Sequence, residues 1–245
     1  MSTTHHTWPR QLRLPGQVAA PDGPIDMRMM YVMHHAFRRD LDLFSAAVRN
    51  TPAAERATWA LLAERWGLFA EALHEHHTIE DEGVWPALER LARPDEVATL
   101  TAMEAEHGEL DPLLEGCATG FRRLTQHADE DARAALVVRV CAARESLRRH
   151  LAHEETEAIA IIQRRLSDAD WHQIEEESFK HDIPPRTLLK LVPWVAEGVP
   201  ADVREVVFSA PGGRMNQALW YLTRGGFRRR QRRALAYVDG PVEVG

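Results

Sequence analysis

Cysteine is nearly missing from this chain: Cys117 and Cys141 are its only two thiols. They are not spaced as a metal-binding pair, and two thiols make no disulfide framework. The chain therefore reads as a protein of a reducing cytoplasm. No run of about 18 apolar residues occurs, so no membrane span is expected. The first residues hold no apolar core of signal-peptide length, and export by that route is not expected. There is no phosphate-cradling glycine-rich loop after a strand and no Gly-x-Ser-x-Gly elbow. Positive charge is in the minority: 30 Lys and Arg against 37 Asp and Glu leave a net charge of -7. That balance argues against a general nucleic-acid binder.

What remains is a soluble globular composition, 44% hydrophobic and 27% charged. At 245 residues the chain makes one large domain, or one and a smaller addition. Residues 1–24, with their prolines, glycines and the pair His5-His6, read as an extended tail. A first helix should start near Asp26 as N-cap and end near Asn50. Its apolar stripe is Met27, Met30, His34, Phe37, Leu41 and Phe44. His35 falls at the boundary of that stripe or outside it. Thr51-Pro52 opens a second helix reaching about Glu82, stopped or bent at Gly83 and Pro86. Its stripe carries Leu62, Trp66, Phe69, Leu73, His76, Glu80 and Val84. His74, His77 and Asp81 leave that line, either as a solvent-facing edge or as partners for the ligands' other ring nitrogens. A third helix opens at Pro94-Asp95, aligns Leu100, Met103, His107, Leu110 and Leu114, and should kink at Pro112. The fourth runs from Asp129-Glu130 to about Leu166. Its stripe is Leu136, Val140, Ala143, Leu147, His150, Glu154 and Ile161, with His153 on the other side and Glu157, one turn beyond Glu154, as a surface charge or a reserve ligand.

Residues 168–245 form a further helical segment. Ser167 to Asp170 resembles a capping box for a helix to about Lys180. Short helices are expected at 187–197 and 200–209. Pro211-Gly212-Gly213 is a break, and a last helix runs from about Met215 to Ala234, with Gly225-Gly226 as a candidate interruption. Trp171, Trp194, Trp220 and Tyr221 call for burial, so this segment should pack on the bundle. Its run of Arg224, Arg228, Arg229, Arg230, Arg232 and Arg233 is either a solvated face or a site for nucleic acid or an anionic partner.

The chemistry lies in the spacing of the histidines. A lone His34 is followed after 42 residues by His76, and a lone His107 after 43 by His150. Both second members carry a glutamate one helical turn later, Glu80 and Glu154, on the same helix face. Two helical hairpins thus each supply half of one site. Four unpaired buried imidazoles and two buried carboxylates would each cost energy, about several kcal/mol per carboxylate; a divalent cation pair removes that cost. Imidazole with carboxylate suits iron, manganese or zinc. Six side-chain ligands exceed one tetrahedral zinc, so a dinuclear site is the economical reading. Glu80 and Glu154 would bridge, and positions would remain open on both metals. The His-x-x-x-Glu order also differs from the Glu-x-x-His of ferritin-like bundles.

These residues, over roughly 25–167, resemble the hemerythrin or HHE cation-binding family, and Trp85-Pro86 matches an aromatic-proline pair often found after its first His-x-x-x-Glu. The resemblance implies an all-α, antiparallel four-helix bundle with the C-terminal helices as an extension. It also implies two iron ions bridged by oxo or hydroxo as the cofactor, with oxygen, peroxide or nitric oxide as partner. Oxygen-carrying members use five histidines, a Glu and an Asp, whereas four histidines and two glutamates are assigned here. The activities to separate are therefore binding or reduction of a small oxidant, oxidation of a small organic substrate under the aromatic extension, and non-enzymatic sensing. Tyr31, one turn before His34, is either a hydrogen-bond donor to a bound oxidant or a boundary aromatic.

Overall fold

The computed structural model describes residues 8–178, 184–210 and 213–238; His5-His6 lie outside the described residues. Among them there is no strand, and no helix is long and apolar enough to cross a membrane. Four long elements make the bundle: α1 (Arg28–Asn50), α2 (Arg56–Ile79) continued by α3 (Trp85–Glu89), α4 (Pro94–Gln126), and α5 (Glu130–His153) continued by α6 (Ile159–Arg165). α1 packs on α2 and α5, and α4 packs on the same two from the opposite corner.

The helix starts follow local chemistry. Asp129 caps α5 by accepting from the Ala132 N–H at 2.9 Å. Asp26 accepts from the Arg28 N–H at 3.1 Å, and Pro94 opens α4. α2 begins at Arg56, four residues later than Thr51-Pro52 foretells, because the chain first turns there. Gly83 and Pro86 do not end the second arm. Glu80–Val84 is instead a π-helical turn, with the Trp85 N–H reaching back to the Glu80 carbonyl. The fourth arm repeats this at Glu154–Ala158, where the Ile159 N–H reaches the Glu154 carbonyl. α4 continues as helix through Pro112.

The core is two apolar clusters with a polar layer between them. Along α1 the order is Tyr31 and Val32 in one cluster, then His34, then Phe37 and Leu41 in the other. Along the second arm the order reverses: Leu73, then His76 and Glu80, then Val84. α4 runs as α1 does, from Met103 past His107 to Leu110, and the fourth arm reverses again from Leu147 past His150 to Ala158. The arms are thus alternately directed, and all four cross the same layer. At Gly120 α4 and α5 come so close that a Cβ would sit 2.8 Å from Leu136 Cδ1.

Beyond the bundle come α7 (Asp168–Ser178), α8 (Pro185–Val195), α9 (Ala201–Ser209) and α10 (Gly213–Ala234). Ser167 and Asp170 cap α7 reciprocally. α10 runs through Gly225-Gly226 without interruption. α8 lies on α1, and α10 on α2, α8 and α9. Trp171, Trp194 and Trp220 are buried, whereas Tyr221 is 55% exposed.

This covering changes α1. Expected to turn one face outward, it is buried all round from His34 to Asp42. The fully buried Asp40 carboxylate accepts from Arg65 at 2.6 and 2.8 Å, from Arg39 at 2.7 and 2.9 Å, and from the Trp194 indole at 2.9 Å. Burial alone would raise its pKa, but the two guanidiniums override that and hold it below the usual carboxylate range. Gly198, with φ +72°, lets the α8–α9 turn pass close to Arg39 and His35.

Candidate metal centre

The polar layer gathers seven side chains from the four arms. His34, His76, Glu80 and Glu154 form one group whose ligating atoms all lie within 4.8 Å of one another; His77, His107 and His150 form another. All six residues singled out by spacing are therefore brought together. The seventh, His77, is a correction to the expected solvent-facing edge. It is buried at 5% exposure, with its ring stacked on His107 at 3.8 Å between centroids. His74 is exposed, so of the two off-stripe histidines only His77 enters the site. A sequence signal was present: the motif is His-His-x-x-Glu, and neighbours 100° apart on a helix can both flank a site at a bundle corner.

The two glutamates span the groups. Glu80 Oε1 is 3.2 Å from His76 Nε2 and its Oε2 is 3.6 Å from His107 Nε2. Glu154 Oε2 is 3.2 Å from His34 Nε2 and 3.8 Å from His150 Nε2. Each stands at the start of a π turn, a departure from α geometry that often accompanies functional sites.

A second set of carboxylates orients the rings. Glu155 Oε1 lies 3.0 Å from His34 Nδ1, Asp81 Oδ1 2.8 Å from His107 Nδ1, and Glu106 Oε2 2.9 Å from His150 Nδ1. Glu106 also holds His153 Nδ1 at 2.8 Å. A carboxylate at Nδ1 fixes the tautomer with a bare Nε2, the arrangement usual for metal-binding histidines. Asp81 thus plays the outer-partner role that its place off the stripe left open. Glu155 was not legible as a partner; it is fully buried, takes Arg38 at 2.7 Å, and accepts from the Val18 N–H of the N-terminal segment at 2.8 Å.

The buried imidazoles and carboxylates shift one another strongly and in both directions. His34 is pushed down by burial but up by the facing Glu154 and Glu155, and ends raised to about 9. Burial and the neighbouring imidazoles push His76 down to about 3 and depress His77 as well. Burial and the charge of Glu154 raise Glu80 well above the carboxylate range, while the imidazoles hold Glu154 below it despite its burial. His34 Nε2, His76 Nε2, His77 Nε2 and all four oxygens of Glu80 and Glu154 are buried without a hydrogen-bond partner. Orphaned acceptors converging in pairs of this kind fit cations. Tyr31 is 1% exposed, its hydroxyl is also unpartnered, and burial together with Glu155 and Glu154 raises its pKa.

The model of the hemerythrin HHE cation-binding domain matches residues 26–162. No curated protein and no solved structure matches the chain. The matched span covers more than half of the chain and contains every one of the seven converging side chains, so this protein belongs to the hemerythrin HHE cation-binding family.

Proposed function

We propose that the protein is a non-haem di-iron protein that binds or reduces a small oxidant such as oxygen, peroxide or nitric oxide. The carrying observation is that Glu80 and Glu154 each reach a histidine in both groups, as carboxylates bridging two ions must. His34 and His76 would hold one ion, and His107 and His150 the other, with His77 as a third nitrogen on that side. When bound, an iron pair supplies electrons and open coordination positions for a small oxidant. The chain itself fixes the rings through Asp81, Glu106 and Glu155, and keeps water out with apolar clusters on both sides. The Tyr31 hydroxyl is a free donor at the edge of the layer, suited to hydrogen-bond a bound oxidant. Manganese or zinc suits the same donor types.

Iron(II) loading without air, metal analysis and absorption on admitting oxygen test this reading. About two irons per chain, with near-ultraviolet bands that form on oxidation, are expected. Less than one metal per chain would overturn it. Consumption of oxygen or peroxide under added reductant separates reduction from reversible binding.

One observation favours a sensing role as a second reading. The Trp194 ring of the extension lies 5.9 Å from Phe37, whose ring lies 5.2 Å from His76. A change at His76 has a packed route to α8, and metal-dependent protease sensitivity near residues 180–233 would register it. Two clefts lined by the extension contain none of the seven converging residues.

A further inference from the structure

The arginine run of α10 is not one solvated face. Arg224 and Arg228 line a cleft of about 300 Å³ between α10, the α8–α9 turn and α9, and Arg204 of α9 faces them across it. This volume is at the lower end of small-ligand sites, roughly 300–1,000 Å³. None of the three guanidiniums has a carboxylate partner among the described residues, although acidic residues outnumber basic ones in the chain. The one carboxylate lining the cleft, Glu197, is held by Arg65 at 2.8 Å and lies 3.8 Å from Arg39.

Two of the arginines are also set in place before any ligand arrives. Arg204 and Arg224 lie over the Trp220 ring, 4.5 and 4.6 Å from its centroid. Arg204 Nη1 donates to the Val199 carbonyl at 3.0 Å, and Arg224 also rests on Tyr221 at 4.7 Å. A guanidinium restrained on an aromatic ring keeps most of its N–H donors free and loses little entropy on binding. Three cations around one small cleft, two of them restrained in this way, match the several oxygens and double charge of a phosphate group, which arginine forks bind in paired hydrogen bonds. Trp220 and Phe227 give the cleft an apolar wall for a small organic portion.

We infer that the cleft between Arg204, Arg224 and Arg228 is a binding site for the phosphate dianion of a small soluble molecule, separate from the metal centre. The phosphate is either free or carried by a small organic phosphomonoester. Calorimetric titration of the metal-loaded full chain at low salt, with inorganic phosphate and with glycerol 3-phosphate, tests this. At least one of the two is expected to bind with a submillimolar dissociation constant, and which one binds more tightly identifies the source. Arg224→Gln and Arg228→Gln should each weaken binding about tenfold, while Arg232→Gln, on the same helix outside the cleft, leaves it within about twofold. Arg228 is exposed, so its variant carries the test should loss of Arg224 from Trp220 disturb the fold, as helical circular dichroism would show. Absence of binding by both ligands at millimolar concentration overturns the proposal. Equal weakening by Arg232→Gln also overturns it, since diffuse charge is then the cause. So does binding only to phosphatidic-acid vesicles, which would make the face a membrane contact.

Discussion

His107 Nε2 faces His150 Nε2 across 3.2 Å, while the Nδ1 atoms of the two rings are held by different carboxylates, Asp81 and Glu106. With both Nδ1 protons directed at carboxylates, two lone pairs meet in a buried layer, an arrangement relieved by a cation between them. Removing the orienting charge should therefore loosen the metal without removing a ligand. Glu106→Gln and Asp81→Asn are each expected to weaken metal affinity about 10- to 100-fold, measured by competition with a chelator. Unchanged affinity in both would mean that these carboxylates do not set the rings.

His77 divides the seven-residue reading from the six-residue one. If it is a third nitrogen beside His107 and His150, His77→Ala should lose about one of two metals per chain. His76→Ala or Glu154→Ala should lose most of both, because Glu154 reaches both groups and His76 lies against Glu80, which also reaches both. His74→Ala and His35→Ala should keep the full complement. Metal analysis of the purified variants gives the answer directly.

Asp40 joins the bundle to the extension through Arg39, Arg65 and the Trp194 indole. Asp40→Asn leaves two buried guanidiniums short of a charge and should cost about 3–5 kcal/mol in urea unfolding. Its depressed pKa sets a sign: the contribution is present above the unfolded carboxylate value, about 3.9, and is lost as pH falls through the folded value. Acid should therefore release Trp194 from its contact, with a shift in tryptophan emission that Asp40→Asn shows already at neutral pH.

The metal-free protein should be most stable near neutrality. His34, raised to about 9, contributes stability that is complete below its unfolded pKa of about 6.5 and is lost as pH rises through 9. His76, depressed to about 3, has the opposite sign, and its contribution is lost as pH falls from about 6.5 toward 3. Melting temperatures of metal-free protein across pH 5 to 9 should pass through a maximum. Loading the site should flatten the alkaline limb, because a cation takes the place of the His34 proton.

Gly120 tests the helix packing apart from the site. A Cβ there meets Leu136 Cδ1 at 2.8 Å and Cβ at 3.3 Å, so Gly120→Ala should destabilise by about 1–3 kcal/mol through overpacking. Metal content should stay normal in the folded fraction.

The four helical arms and six of the seven side chains that converge in the candidate site were legible in order and spacing. Helical periodicity is local, and a repeated lone His followed by His-x-x-x-Glu needs no knowledge of the partners to be seen. Glu155 and Glu106 were not legible, and the His-His-x-x-Glu order left the place of His77 open, because each acts across an interface between helices, where rotation about the axis and the neighbouring arm determine what a side chain touches. The π turn at Glu154 carries no proline or glycine, and at Glu80 the neighbouring Gly83 and Pro86 read as a stop or bend, so both π turns appear only in the backbone bonding. The same holds for α1, where His35 read as lying at the boundary of the apolar stripe or outside it, whereas the helix is buried all round from His34 to Asp42. Composition and periodicity by themselves determined the bundle and the donors it carries. Tertiary packing decided which donors converge, which carboxylates orient them, and which arginines of α10 stand together around a cleft, because those are distances between segments far apart in the chain.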